Sequence, residues 1–409
     1  MDGTCKKCVS SFVMQSHNAP PSLPLPVEFL DFLKENGLDP SIYAMADSIP
    51  RYIRIKPGCE SQLLEIEAEL RCKLEKVVWL PGFFAIPPHV QIASTEAYRL
   101  GKIYGMDAAS GAAVIALDVS SGDHILDLCA APGAKLCMLS DILGSSGSLT
   151  GVDVAKHRLA ACRTMLQKYS LGDRCRLFVA DGTTFSLLPA MSHEDKKTNA
   201  TDSEGRADKF CEWTAKRPWR DRRNARKLKS GTKSHTLLGT AEADLIFYGR
   251  NSGVVGSLKS ELFCAVNETE YLVSGYDKVL VDAECTHDGS VKHIQKFENW
   301  GWKTLQRRML DSKRTDNLMH LQLKLLTNGF RLLKAGGSLV YSTCSLTVSQ
   351  NEDVVELFLS RNSSAELQEV DVADNWSCRS GRIPKTLRFD PETSKTSGLF
   401  IAKIKKGDI

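Results

Sequence analysis

The sequence has no uninterrupted apolar run near the roughly 20 residues that a membrane helix needs, so no membrane-spanning helix is expected. It has no second CxxC or CxxH to complete the ligand set begun by Cys5-Lys-Lys-Cys8. Tetrahedral zinc needs four such ligands, and no metal site is expected. The N-terminal stretch has no apolar region followed by a small-residue cleavage site, which argues against secretion. Residues 1–50 contain no arginine, which argues against a mitochondrial presequence. A disulfide framework is not expected either. The thirteen cysteines are odd in number and scattered from Cys5 to Cys378, a pattern that fits a reducing intracellular compartment, nucleus or cytoplasm.

What is present is ordinary for a globular protein: 409 residues, 42% hydrophobic and 25% charged. That length suggests two or three domains. The net charge of +4 hides an asymmetry, because residues 205–233 hold eleven Lys/Arg against three Asp/Glu, a local net of +8. Residues 1–25 are Ser/Pro-rich and read as a flexible tail. Residues 26–100 read as a small mixed module: VEFLDFLKENG and SQLLEIEAELRCKL have helical spacing, and RYIRIK and KVVWL read as strands. Residues 101–409 read as one larger domain. It is interrupted by a basic, disordered insertion at about 191–262.

The larger domain alternates strands and helices, which predicts an α/β fold with a parallel sheet. HILDL (124–128), LTGVDV (149–154), CRLFVADG (175–182), DKVLVDA (277–283) and GSLVYSTCS (337–345) are the strands. Four of them stop at a carboxylate: Asp127, Asp153, Asp181 and Asp282. One such Asp is ordinarily a helix cap. Four in a row point to a shared cleft at the carboxyl ends of the strands.

The first strand-to-helix turn, Asp127-Leu-Cys-Ala-Ala-Pro-Gly-Ala-Lys135, has neither GxGxxG nor a Walker lysine motif. It therefore suits neither a dinucleotide nor a phosphate cradle. Its small residues let backbone approach a ligand closely, and Asp153 sits where an acid binds ribose hydroxyls. A ligand with an adenosine and no phosphates fits, and S-adenosylmethionine is one.

DLCAAPGAK, GVDV, VADG, VDAECTHDGS and YSTCS, in this order, resemble the Nop/Sun-domain family of RNA cytosine-C5 methyltransferases. GMDAAS (105–110) and SQNEDVVELFL (349–359) also look like family segments. The resemblance covers roughly 100–190 and 270–405. It implies a Rossmann-like class I methyltransferase sheet with a small N-terminal mixed α/β module that is similar to the family's RNA-binding module. It also implies that Cys129, Ala130, Ala131, Pro132, Gly133, Ala134 and Lys135 hold the methionine part of the cofactor. Asp153, with Arg158 nearby, would bind ribose, and Asp181 would contact adenine. Asp282 would face the cytosine, Cys344 would be the nucleophile, and Cys285 would assist product release. Lys135 would either contact the base or sit near a helix start. The usual family loop reads Asp-Ala-Pro-Cys-Ser-Gly. Here Glu284 stands for the proline and His287 for the glycine.

Two cysteines and an acid make chemical sense for this reaction. C5 of cytosine is a poor nucleophile, and a thiolate added at C6 makes it enamine-like. An unperturbed thiol has a pKa near ~8.5, so the site must favour the thiolate, for which Lys135 is a candidate. Charge building on N3 calls for a positioned acid, a role Asp282 fills if burial raises its pKa. The lone His287 reads as a surface or hydrogen-bonded residue. The expected partner is single-stranded or extruded RNA, bound by a monomer. The alternative is a weak or inactive relative that serves as an RNA-binding assembly factor. A DNA-type enzyme fits less well, because Glu284 and not Pro precedes Cys285. If the basic stretch binds RNA, deleting 205–233 flattens the salt dependence of RNA affinity. An unchanged slope of log K against log salt would remove that stretch from the binding surface.

Overall fold

The computed structural model describes residues 25–189, 209–212, 243–264, 268–305 and 311–407. Cys5, Cys8, the tail up to residue 24 and most of the basic stretch lie outside them.

Two sheets organise the chain. The smaller contains β1 (Arg51–Ile55), β2 (Glu75–Lys76), β3 (Phe83–Ile86) and β4 (Ile103–Gly105), in the order β2-β3-β1-β4. All its pairings are antiparallel. The two amphipathic segments fold as the helices Val27–Glu35 and Leu63–Leu70. KVVWL departs from expectation. Only Glu75 and Lys76 pair with β3, and the chain then turns, with Leu80 N–H donating to the Val77 carbonyl at 3.1 Å. Pro81 has no N–H for a ladder, and Gly82 takes a φ of 80° that few other residues tolerate.

The larger sheet contains β5 (His124–Asp127), β6 (Ser148–Asp153), β7 (Cys175–Val179), β8 (Asp244–Tyr248), β9 (Tyr276–Asp282), β10 (Leu333–Thr343), β11 (Ala365–Gln368), β12 (Arg379–Ser380), β13 (Thr386–Phe389) and β14 (Leu399–Lys406). Its order is β12-β13-β14-β10-β9-β5-β6-β7-β8, with β11 on β14. The five strands read from the sequence form its parallel centre. Antiparallel strands flank that centre on both sides. The central strands are near-continuous apolar runs because helices bury both faces, and two hydrophobic clusters fill the two sides. This is the Rossmann-like class I arrangement. β8 lies inside the stretch that the sequence reading treats as insertion. It extends the sheet by pairing antiparallel with β7.

Topology places the cleft. From β5 the chain steps outward to β6 and β7, then returns to β9 on the other side of β5. At such a switch the two crossovers diverge and leave a crevice at the carboxyl ends. Asp127 and Asp282 are the last residues of β5 and β9, the two strands that flank the switch.

A buried ion pair ties the C-terminal strands to this edge. Glu352, fully buried in the first turn of the helix Glu352–Arg361, accepts from both guanidinium Nε (2.7 Å) and Nη2 of Arg388 on β13. Arg388 also donates to the Leu346 carbonyl at 2.8 Å, two residues past Cys344. Burial alone would raise the Glu352 pKa, but the Arg388 bonds and charge outweigh it and hold the carboxyl below its ordinary value. This stability is therefore complete above the ordinary carboxylate range and is lost as pH falls through the lowered pKa. Glu352→Ala leaves a guanidinium without its partner. It should lower the unfolding free energy by ~3–5 kcal/mol in urea denaturation; a loss below ~1 kcal/mol would mean that the pair does not anchor this edge.

Candidate active site

β5 runs into the turn 128–133, and hydrogen bonds pin that turn onto the end of β6. Ala130 N–H donates to the Val152 carbonyl at 2.9 Å, and Ala131 N–H to Asp153 Oδ2 at 3.2 Å. Gly133 caps the helix Ala134–Leu143 with a φ of 110°, and a Cβ there would stand 3.0 Å from the Cys162 Cα. Only glycine allows that approach to the helix Lys156–Lys168. Arg158 on that helix donates to the Ala131 carbonyl at 2.8 Å and lies 3.9 Å from Asp153. Residues 129–135, Asp153 and Arg158 are thus one continuous surface. Asp181 follows Ala180, whose N–H donates to the Asp153 carbonyl at 3.3 Å. Asp181 is exposed, two residues beyond β7, and its carboxylate accepts from the Thr183 N–H and hydroxyl, both at 2.8 Å.

Negative charge dominates this surface. Lys135 Nζ donates to Asp282 Oδ2 at 2.8 Å. Burial would lower the Lys135 pKa, but Asp282 outweighs it and raises it, so the ammonium persists. Asp127 is 1% exposed, and burial, followed by the neighbouring Asp282 charge, pushes its pKa up to about 7. Among the described residues, Asp282 pairs with Lys135 and Asp153 lies near Arg158. Burial is the first cause of the raised Asp127 pKa and the Asp282 charge the second, so a cation bound nearby would relieve the second. A sulfonium would supply one, and Val154, 71% exposed beside Asp153, offers an apolar surface for a purine. The residues fit S-adenosylmethionine.

On the other side of the switch, β9 and β10 pair in parallel with Ser342 opposite Asp282, and Ser342 Oγ donates to Asp282 Oδ1 at 2.8 Å. The two loops that leave these strand ends carry the cysteines. Cys285 Sγ and Cys344 Sγ are 3.3 Å apart. Cys285 is 1% exposed, while Cys344 is half-buried. His287, at the exposed rim, brings Nδ1 to 2.8 Å from Cys344 Sγ and 3.7 Å from Cys285 Sγ. It is both exposed and hydrogen-bonded, as the sequence suggested, and its partners are the two cysteines. The two thiols titrate as a pair. The hydrogen bond from Cys344 holds the Cys285 thiol well below its ordinary value against the cost of burial, with the His287 charge adding to it. The same bond, with burial, holds Cys344 well above. By contrast, Cys137, Cys162 and Cys175 are core packing, with thiols that burial pushes up.

A buried polar network locks the two loops together. Asp288 accepts from the Thr286 hydroxyl, from Ser345 Oγ at 2.7 Å and from Leu346 N–H at 2.6 Å. Gln350 Oε1 accepts from Thr286 N–H at 3.1 Å. Gly289 N–H donates to the Cys344 carbonyl at 3.0 Å, and a Cβ on Gly289 would fall 2.5 Å from that oxygen. Where the family has proline, Gln322 Nε2 holds the Glu284 carbonyl at 2.8 Å.

Sequence and structure comparisons give the chain's family and fold. The family described as 16S rRNA methyltransferase RsmB/F matches residues 114–196 and 258–405. The chain belongs to the RsmB/F family. A tRNA (cytosine(49)-C(5))-methyltransferase of Pyrococcus abyssi is 24% identical over 361 residues, 85% of each chain. The Arabidopsis thaliana rRNA (cytosine-C(5))-methyltransferase NOP2C is 22% identical over 80% of this chain, which spans 58% of that relative. The crystal structure of NSun6 from Pyrococcus horikoshii with SFG is 16% identical, covers 94% of this chain and 99% of its own, and superposes with a TM-score of 0.60. That likeness is one of fold. The RsmB/F chain is an S-adenosylmethionine-dependent methyltransferase.

Several site residues were not named from the sequence. Thr286, Asp288, Gln322 and Gln350 carry no signal beyond their nearness to the motifs, because their partners across the fold are 28 to 64 residues away. Asp127 yields a measurable consequence. A bound cation lowers a nearby carboxyl pKa, so cofactor binding near pH 7 should release protons. Affinity should rise with pH up to about 7, at most about tenfold per unit. Calorimetry in buffers of different ionisation enthalpy checks this, with Asp127→Asn as the variant that loses the effect. Identical heats in all buffers would refute the role.

Proposed function

We propose that this RsmB/F enzyme transfers a methyl group from S-adenosylmethionine to C5 of cytosine in RNA through a covalent bond between Cys344 and C6. The observation that carries the reading is the sulfur pair, 3.3 Å apart beside the Lys135–Asp282 pair at the carboxyl edge of the sheet. The relatives named above, one for tRNA and one for rRNA, support RNA as the substrate class.

The cofactor supplies an activated methyl group on a positive sulfur; the chain's residues do the rest. Cys344 passes its proton to the Cys285 thiolate and adds to C6. The C5–C6 π pair moves into the ring, and the Lys135–Asp282 pair faces the charge that builds there. C5 takes the methyl carbon, and that bond pair stays on the donor sulfur. The C5 proton leaves to water, and its electron pair expels the Cys344 sulfur. Cys285 then returns its proton to that sulfur, which assists departure and restores the starting state. The target base must be unstacked, at a cost of a few kcal/mol.

Cys344→Ala should reduce 5-methylcytosine formation by at least ~10³-fold, read by mass spectrometry of RNA nucleosides, with cofactor affinity kept. Turnover near the wild-type rate would reject the nucleophile. Cys285→Ala should accumulate a protein–RNA band that survives denaturing electrophoresis. Free turnover without that band would remove Cys285 from release.

A further inference from the structure

We propose that His287 is a catalytic residue of this enzyme, the cationic partner that takes one thiol proton from the Cys285/Cys344 pair and holds the remaining negative charge within reach of Cys344. The inference rests on the proposed role of Cys344 and deepens it.

Geometry carries the argument. One ring nitrogen, Nδ1, faces both sulfurs, at 2.8 Å from Cys344 and 3.7 Å from Cys285. The sulfurs are themselves 3.3 Å apart, so a single proton can pass between them while the same N–H faces whichever sulfur is charged. The shorter distance is to Cys344, the sulfur that must carry charge when it attacks and when it departs. The step balances internally. One S–H bond breaks, one Nδ1–H bond forms, and a dithiol with neutral imidazole becomes a thiol, a thiolate and an imidazolium.

The backbone points the same way. His287 adopts a φ of 60°, in the left-handed region, where a non-glycine side chain is a cost. That conformation turns the ring back onto the sulfurs. The ring is also braced from the helix Val291–Trp300, where His293 meets it edge-on with centroids 5.7 Å apart. His293 in turn packs against Phe297 and Trp300.

The titratable groups that face His287 are Cys285 and Glu284 from its own loop, Asp282 from the end of β9, Cys344 from the loop after β10, and His293 from the helix. The Cys285 charge, first among them, raises the imidazole pKa against burial, and Asp282 and Glu284 add to it. Imidazolium and thiolate thus stabilise one another, as at other activated thiols.

The test is the pH dependence of Cys344 alkylation by iodoacetamide in the full chain, followed by peptide mass spectrometry, which separates Cys344 from Cys285. His287→Gly removes the ring and suits the positive φ, and His287→Gln keeps bulk without a cation; thermal melts confirm that both fold. In wild type, the pair should show a first inflection below the ordinary thiol pKa, strongest at Cys285 and followed at Cys344 through the proton the two sulfurs share. Both variants should shift that inflection upward and slow alkylation near pH 7 by about tenfold or more. Added imidazole should restore the rate in the glycine variant. Methyl transfer should fall in parallel, with the same pH shift and little change in KM for RNA. Alkylation profiles that coincide across wild type and both variants would overturn the role of His287 and leave the Cys344 assignment standing. Shifted profiles in a chain that methylates no cytosine would instead keep the His287–cysteine unit and remove the proposed reaction.

Discussion

The site depends on one pairing, the parallel register of β9 and β10. With Ser342 opposite Asp282, the two strands end side by side, and the loops beyond them start from adjacent points. A one-residue slip would turn each of these side chains to the other face of the sheet. It would separate Asp282 from Ser342 and Lys135 and carry Cys344 away from Cys285. The facing residues Val279, Leu280 and Val281 of β9 and Leu339, Val340 and Tyr341 of β10 are fully buried, so their packing holds that register. Core packing therefore sets the distance between the two sulfurs.

Around that register, the loops are held by polar contacts in place of a stiff backbone. Family members have a proline before the first cysteine, whereas this chain has Glu284, whose carbonyl is clamped by the buried amide of Gln322. Asp288 and Gln350 gather the ends of both loops. The small sheet's neighbourhood contributes as well. Tyr43 donates to the Asp288 carbonyl at 2.9 Å, and Tyr52 to the Lys395 carbonyl at 2.9 Å. The buried pair of Arg54 with Asp141 joins β1 to the helix that starts at the cofactor turn. Anything that moves the small sheet therefore pulls on both halves of the cleft.

The electrostatics divide along the switch point. On the cofactor side, carboxylates exceed cations and Asp127 is left partly protonated near neutrality. On the substrate side, two thiols and an imidazole share protons among three atoms within 4.8 Å of one another. Lys135 lies at the boundary, paired with Asp282. In the proposed reaction, a positive methyl donor and an attacking anion would each meet the environment that their chemistry needs.

How much of this was legible beforehand follows from sequence range. The parallel centre, the strand-terminal acids and the two cysteines were readable, because strand burial writes a local apolar run and the motifs are contiguous. KVVWL was misread, because an apolar run does not say where a turn begins. β8 was hidden, because five residues inside a polar stretch carry too little pattern and their pairing with β7 is non-local. From the sequence, Asp282 serves as the acid if burial raises its pKa; that the fold puts Asp127 at full burial beside that second carboxylate was not readable. His287 reads from the sequence as a surface or hydrogen-bonded residue, with no partner indicated. Only the folded chain, by bringing β10's loop to within 2.8 Å of a residue 57 positions earlier, made it part of the chemistry. Local composition determined which elements form and where their ends fall. Which ends meet, and which protons they share, was decided by tertiary packing, because hydrogen bonds and burial act over ångströms of space and not along the chain.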